Sequence, residues 1–322
     1  MVLPPRMARL THPIYPLTTG FHGPTRPVPN PELVSQYGYD RFVPFTNSAD
    51  HTDAELHEIA QAIRRDIIRE LVEAKSGHSG GPLGSSDIFA TLYFGGVMRY
   101  DPKNPWWPER DRFILSAGHM CPVLYSTLAN AGFFPKHELL TLRKFNSRLQ
   151  GHPGRDMGLP GIESSTGSLG QGLGIAVGMA LADKRVDKNG RRVFALTGDG
   201  ELSEGEIWEA ALIAAHWELD NFTMIVDRNN CQIDGRTEDI MRLNPVGDKF
   251  RAFNFHVIEC NGNNINELRA AFKEARRVKG HPVCIVAETF MGRGVSFMED
   301  DYRWHGKPPT AEQAVEALSE LV

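Results

Sequence analysis

Asp199 and Asn229 stand at the ends of two short apolar runs, and together they could hold a metal ion. The first run, Val193-Phe194-Ala195-Leu196-Thr197, leads into Gly198-Asp199-Gly200. The flanking glycines let a bound group come close to the backbone. The second run, Phe222 to Val226, leads into Asp227-Arg228-Asn229-Asn230-Cys231. If both runs are buried strands joined by the helical stretch ending near Leu219, a right-handed crossover brings carboxylate and amide to one rim of a sheet. Asp199, the Asn229 amide oxygen and a carbonyl from the following turn then supply oxygen donors. Such a set suits a small hard dication whose octahedron is completed by diphosphate oxygens and water. Either piece alone is an ordinary turn; the order strand, helix, strand, second donor carries the reading.

Histidine supplies the second kind of chemistry. His78, His119, His152 and His305 all fall in glycine-bearing loops. A side chain with an unperturbed pKa near 6.5 moves protons at neutral pH, and loops of this kind bring such groups to one site. A third signal is Ser165-Thr166-Gly167-Ser168-Leu169-Gly170-Gln171-Gly172, which opens a helix that also carries Gly174 and Gly178. Each helical glycine costs about 1 kcal/mol against alanine. Free N–H groups at the helix start can face phosphate, and close packing on a sheet is the expected reason for Gly174 and Gly178.

The elements that must position these residues alternate. Thr52-Asp53-Ala54-Glu55 forms a capping box, followed at helical spacing by Leu56, Ile59, Ala60, Ile63, Ile67 and Leu71. That helix is expected to end at Lys75-Ser76-Gly77, with Ser85-Ser86-Asp87 capping the next. Arg112 to Ser116 reads as a strand, Asn266 to Lys279 as a helix, Pro282 to Thr289 as a buried strand, and Gln313 to Val322 as a terminal helix. The pattern predicts an α/β fold: a doubly wound, mainly parallel sheet with helices on both faces. Residues 1–50 are proline-rich and predict an extended arm; residues 51–322 predict one binding domain.

Composition narrows the function. The chain of 322 residues has a formal net charge of -5, which gives no electrostatic footprint for nucleic acid or an anionic membrane. No apolar run is long enough to span a bilayer, and the N-terminus lacks the pattern of a secretory signal. Cys121, Cys231, Cys260 and Cys284 show no CxxC spacing. They read as reduced thiols of a cytoplasmic protein.

The motifs taken together resemble the thiamine diphosphate-binding, N-terminal half of the transketolase family. Ser76-Gly77-His78, Leu115-Ser116-Ala117-Gly118-His119, Gly151-His152-Pro153-Gly154, the Thr166-to-Gly172 turn, Asp199 with Asn229, and Ile233-Asp234-Gly235 match it in order. The match runs from about Thr52 to His305. The resemblance implies that Asp199, Asn229 and the Cys231 carbonyl hold Mg²⁺ or Ca²⁺ on the cofactor diphosphate. It implies that His119, Gly167, Gly200 and His305 contact the diphosphate side, with Ser168 and Leu169 in the cofactor-binding turn and Leu169 near the aminopyrimidine. His78, His152 and His305 would face the sugar hydroxyls and move protons. Glu204 would reach across a subunit interface toward the glutamate that activates the cofactor.

Some departures from the family carry expectations of their own. Ser79 and Ser168 stand where the family commonly has proline, a change expected to alter loop stiffness more than chemistry. The sequence ends after the diphosphate-binding domain, with no pyrimidine-binding domain following it. That resembles the first subunit of a split transketolase, which moves a two-carbon ketol unit from a ketose, expected to be phosphorylated, to an aldose. The expected assembly pairs this chain as a homodimer with a separate C-terminal subunit in a heterotetramer. The alternatives are a subunit of another thiamine diphosphate enzyme, of deoxyxylulose-phosphate synthase or 2-oxoacid dehydrogenase E1 type, or a non-catalytic regulatory subunit. The His78, His152 and His305 set favours transketolase over the other enzymes.

Overall fold

The computed structural model describes residues 26–322. The expected arm over residues 1–25 lies outside these. The described part is not simply extended: Asn30 caps a short helix, Pro31–Gln36, and the chain then packs onto the domain. Tyr39 is buried with its hydroxyl donating to Asp66 at 2.7 Å, and Asn47 bridges the Met98 carbonyl and the Gly96 amide.

Seven strands form among the described residues: β1 (Arg112–Leu115), β2 (Val193–Gly198), β3 (Phe222–Arg228), β4 (Cys231–Gln232), β5 (Gly235–Arg236), β6 (His256–Asn261) and β7 (Val283–Glu288). Five of them make one sheet in the order β1-β2-β3-β7-β6, with every pairing parallel. Strands β4 and β5 form a separate antiparallel hairpin.

Alternation along the strands divides the core in two. Phe113, Leu115, Phe194, Leu196, Ile225 and Ile285 pack with the helices Asp53–Ala74, Ser86–Phe94, Cys121–Asn130 and Ile265–Ala275. Ile114, Val193, Ala195, Met224, Val226 and Val286 face the other way, against Gln171–Leu181, Gly205–His216 and Val246–Ala252. A period of two with both faces covered is what a parallel sheet requires. Register aligns Leu115, Leu196, Ile225, Ile285 and Ile258 as one row across the sheet. Each such side chain contributes about 1.5–3 kcal/mol on burial.

The long helix Asp53–Ala74 forms as the sequence predicts, with both bonds of its capping box and Lys75 in the left-handed conformation at its end. The predicted cap at Ser85 does not form. Gly80–Gly84 is itself a short helix, Ser85 belongs to the join between two helices, and its hydroxyl caps neither. Among the described residues no helix is long and apolar enough to cross a membrane.

Candidate functional site

The carboxyl ends of β2 and β3 deliver Asp199 and Asn229 to one side of the sheet. Asp199 is 1% exposed. One carboxylate oxygen accepts the Gly200 N–H at 2.7 Å; the other accepts Arg228 Nη1 at 2.9 Å and the Asn230 N–H at 2.7 Å. Burial pushes its carboxyl up to about 7, against the pull of Arg228. Asn229 donates its amide nitrogen to buried Asp227 at 2.9 Å, and its amide oxygen accepts the Cys231 N–H at 3.0 Å. Asp227, which also accepts the Thr289 hydroxyl, thereby fixes which way the Asn229 amide faces.

Asp199, Asn229, Cys231, Gly200, Leu169, His119 and His305 line one cavity of about 200 Å³. His78 joins this group through its ring, with centroids 4.9 Å from His119 and 5.6 Å from His305; His119 and His305 are 5.1 Å apart. Burial, aided by the neighbouring imidazoles and Arg143, pushes His78 down to about 4. Burial also holds His119 well below the usual histidine range and lowers His305 and, with Arg143, His152. Each shift favours the neutral form of the ring.

The remaining predicted residues lie at the edge. His152 is exposed, and Gly167 (φ +150) packs so tightly on it that a Cβ at 167 would meet its ring at 3.1 Å. The same backbone at 167 lies against Gly118, so glycine at both positions permits a three-way approach of loops. Ser168 is exposed and outside the cavity. Glu204 is exposed too, its Cβ beside Gly170.

Residues the motifs did not single out complete the site. Glu201 is buried in the cavity wall and accepts bonds from Ser116 Oγ at 2.5 Å, the Gly170 N–H at 2.8 Å and the Gly198 N–H at 3.1 Å. It ties together the end of β1, the end of β2 and the start of the glycine-bearing helix. Arg228 is also buried and adds Thr237, Glu238 and Asn244 to its bond with Asp199. A buried carboxylate or guanidinium with several partners leaves no spacing signature, because its partners come from distant segments.

Comparison with known proteins decides the family. The family described as "Transketolase, thiamine diphosphate binding domain" matches residues 56–321. The chain belongs to it. The chain is 41% identical over 258 residues to one of the subunits of the apulose-4-phosphate transketolase of Phocaeicola vulgatus, covering 80% of this chain and 90% of that one. It is 42% identical over 267 residues to a 6-deoxy-6-sulfo-D-fructose transketolase subunit of a Clostridium species, covering 83% and 96%. The Campylobacter jejuni transketolase structure superposes with a TM-score of 0.78 at 34% identity, over 83% of this chain but 42% of that one.

The residues of this transketolase-type chain fit its cofactor. Buried Nδ1 of His78, Nδ1 of His305 and Oγ1 of Thr166 have no hydrogen-bond partner. Orphaned polar atoms beside a cavity suit a ligand rich in hydroxyl and phosphate groups. The Asp199, Asn229 and Cys231 oxygens fit a hard dication on the diphosphate, since they are oxygen donors at one cavity wall. Among the described residues no cluster of histidine, cysteine and acidic side chains offers a competing metal site.

Proposed function

We propose that this chain is the diphosphate-side subunit of a two-polypeptide transketolase, with residues 51–322 as its binding domain. The observation that carries the proposal is the meeting of Asp199 and Asn229 with His119 and His305 at one cavity, with the His78 ring packed against both imidazoles. Relatives named as transketolase subunits are covered over 90% and 96% of their own lengths, which supports a separate partner polypeptide bearing the pyrimidine side. Exposed Ile175, Leu212, Ile213 and Trp217 support a second copy of the chain, and so a heterotetramer. The free cysteines suit the cytoplasm.

When bound, thiamine diphosphate supplies the carbon nucleophile that carries a two-carbon ketol unit from a ketose to an aldose. This chain's residues bind and orient. Asp199, the Asn229 amide oxygen and the Cys231 carbonyl would hold Mg²⁺ or Ca²⁺ on the diphosphate. Gly167, Gly200 and His119 would face the diphosphate side and Leu169 would lie near the ring system, while Ser168, outside the cavity, would serve only as part of the turn. His78 and His305, held below the usual histidine range by burial, and His152 at the cavity edge take and return protons at the sugar hydroxyls. Glu204, already at the surface, meets the partner's activating group.

The test is reconstitution. The chain mixed with a C-terminal transketolase subunit, thiamine diphosphate and Mg²⁺ should transfer a two-carbon unit from a ketose phosphate and ignore pyruvate as donor. Transfer by this chain alone, shown partner-free by mass spectrometry, would refute the two-polypeptide reading.

A further inference from the structure

Arg143 occupies a place between the two loops that carry His78 and His152. It begins a tight loop with left-handed backbone (φ 57), closed by its own N–H donating to the Leu149 carbonyl at 2.8 Å. From there Nη1 donates to Ser76 Oγ at 2.8 Å and Nη2 to the Gly151 carbonyl at 3.3 Å. Ser76 lies just before Gly77-His78, and Gly151 just before His152. The guanidinium also lies flat on Gly151: a Cβ there would stand 2.8 Å from Nε and 2.9 Å from Cζ. Nε is buried with no partner. Among the described residues no carboxylate pairs with this guanidinium.

We propose that Arg143 is a positioning residue that sets the separation and facing of His78 and His152 toward the sugar. The inference rests on the proposed role of those histidines. A planar group with donors pointing two ways can fix one loop against the other, which a flexible ammonium cannot. Leaving the charge without a carboxylate has a second effect. The groups facing His78 are His119, His152, His305 and Arg143, and among the described residues Arg143 is the only charged group acting on His152. Of these, the guanidinium alone is permanently charged, so it opposes protonation of both rings. The glycine at 151 then has a reason beyond backbone freedom: any side chain would displace the guanidinium.

The experiment compares Arg143→Gln, Arg143→Lys and Gly151→Ala in the full chain. Ring-nitrogen NMR of the chain reads the titration midpoints of His78 and His152. Steady-state kinetics of the enzyme reconstituted with its partner subunit read donor kcat/KM. In Arg143→Gln the midpoints move up toward the ordinary histidine range, and donor kcat/KM falls roughly 100-fold, as expected for a misplaced acid–base group. Thiamine diphosphate affinity stays within about twofold, because this contact lies on the sugar side. Arg143→Lys restores the midpoints but leaves kcat/KM low. Gly151→Ala, which keeps the arginine, lowers kcat/KM in the same direction, so a poorly folding Arg143→Gln does not remove the test. Unchanged midpoints and kinetics with only a lower melting temperature overturn the proposal. Midpoints that move without any change in sugar kinetics instead overturn the sugar-side role of the histidines and leave the placement by Arg143 standing.

Discussion

The hydroxyl of Ser79 donates to the Lys307 carbonyl at 2.6 Å, with the Trp304 carbonyl 3.2 Å away. These carbonyls bracket His305, so one buried hydroxyl ties the loop bearing His78 to the loop bearing His305. A proline at 79 would offer no such bond. The serine therefore does more than relax the loop. Ser79→Ala should cost about 0.5–1.5 kcal/mol, the net worth of a hydrogen bond between a buried hydroxyl and a partly buried carbonyl. It should also raise donor KM without changing thiamine diphosphate affinity, which calorimetry beside steady-state kinetics would check.

Asp199→Asn should abolish metal-dependent cofactor binding while the chain stays folded. Arg228 loses one of its two carboxylate partners but keeps Thr237, Glu238 and Asn244. Calorimetric titration of thiamine diphosphate with and without Mg²⁺ is the measurement, with circular dichroism as the fold control. Titration unchanged from the parent chain would remove Asp199 from the metal set.

Glu201→Ala should be more damaging to the fold. It strands the donors of Ser116, Gly170 and Gly198 together. Loss of at least about 3 kcal/mol is expected from hydrogen bonds to a buried carboxylate. Urea unfolding would measure it, and a loss below about 1 kcal/mol, on the same scale, would mean water replaces the carboxylate.

Acid should loosen the site before it stops the chemistry. Burial holds His78 at about 4 and keeps His119, His152 and His305 below their ordinary value. Below the usual histidine pKa the unfolded chain takes up protons that the folded chain does not. Stability contributed by these neutral rings is therefore full above about pH 6.5 and is lost as pH falls toward 4. Melting temperature should drop over that window, and His78→Gln should flatten the drop. Donor kcat/KM should stay level between about pH 6 and 8 as far as His78 controls it.

The helix glycines separate into distinct cases. A Cβ at Gly172 would strike the Ser116 backbone at 2.6 Å, whereas one at Gly174 meets only the movable end of Glu206 and one at Gly178 meets nothing. Packing on the sheet thus explains Gly172, but neither Gly174 nor Gly178, where the sequence predicts it. Gly178→Ala should stabilise the isolated chain by about 0.5–1 kcal/mol. If a second copy covers that face, the same change should weaken self-association in sedimentation.

Local signals were readable where chemistry is local. The capping box at Thr52 and Glu55, the apolar runs of β2, β3 and β7, and the glycine loops around the histidines each lie within a few residues of chain. Strand β6 was not read: it runs His256-Val257-Ile258-Glu259-Cys260-Asn261 at the sheet edge, where only Ile258 is buried. An edge strand needs no apolar run. Glu201, Arg228 and Arg143, and the bonds made by Ser79, escape the sequence for another reason. Their partners lie in other loops, so only the assembled fold shows what each one holds.

The parallel sheet also sets the order in which this chain can become functional. No pairing in it is a hairpin: Arg112 must find Val193, and Thr223 must find Val283. Contacts so remote in sequence form slowly, because long loops close before any strand is rewarded. The loops around the cavity hang from β1, β2 and β3, and the loop bearing His305 follows β7. A nascent chain thus lacks the His305 side of the cavity, and so a complete site, while β7 is still unmade. Cofactor capture is then a readout of completed folding, and free thiamine diphosphate acts by mass action as a stabiliser of the whole sheet.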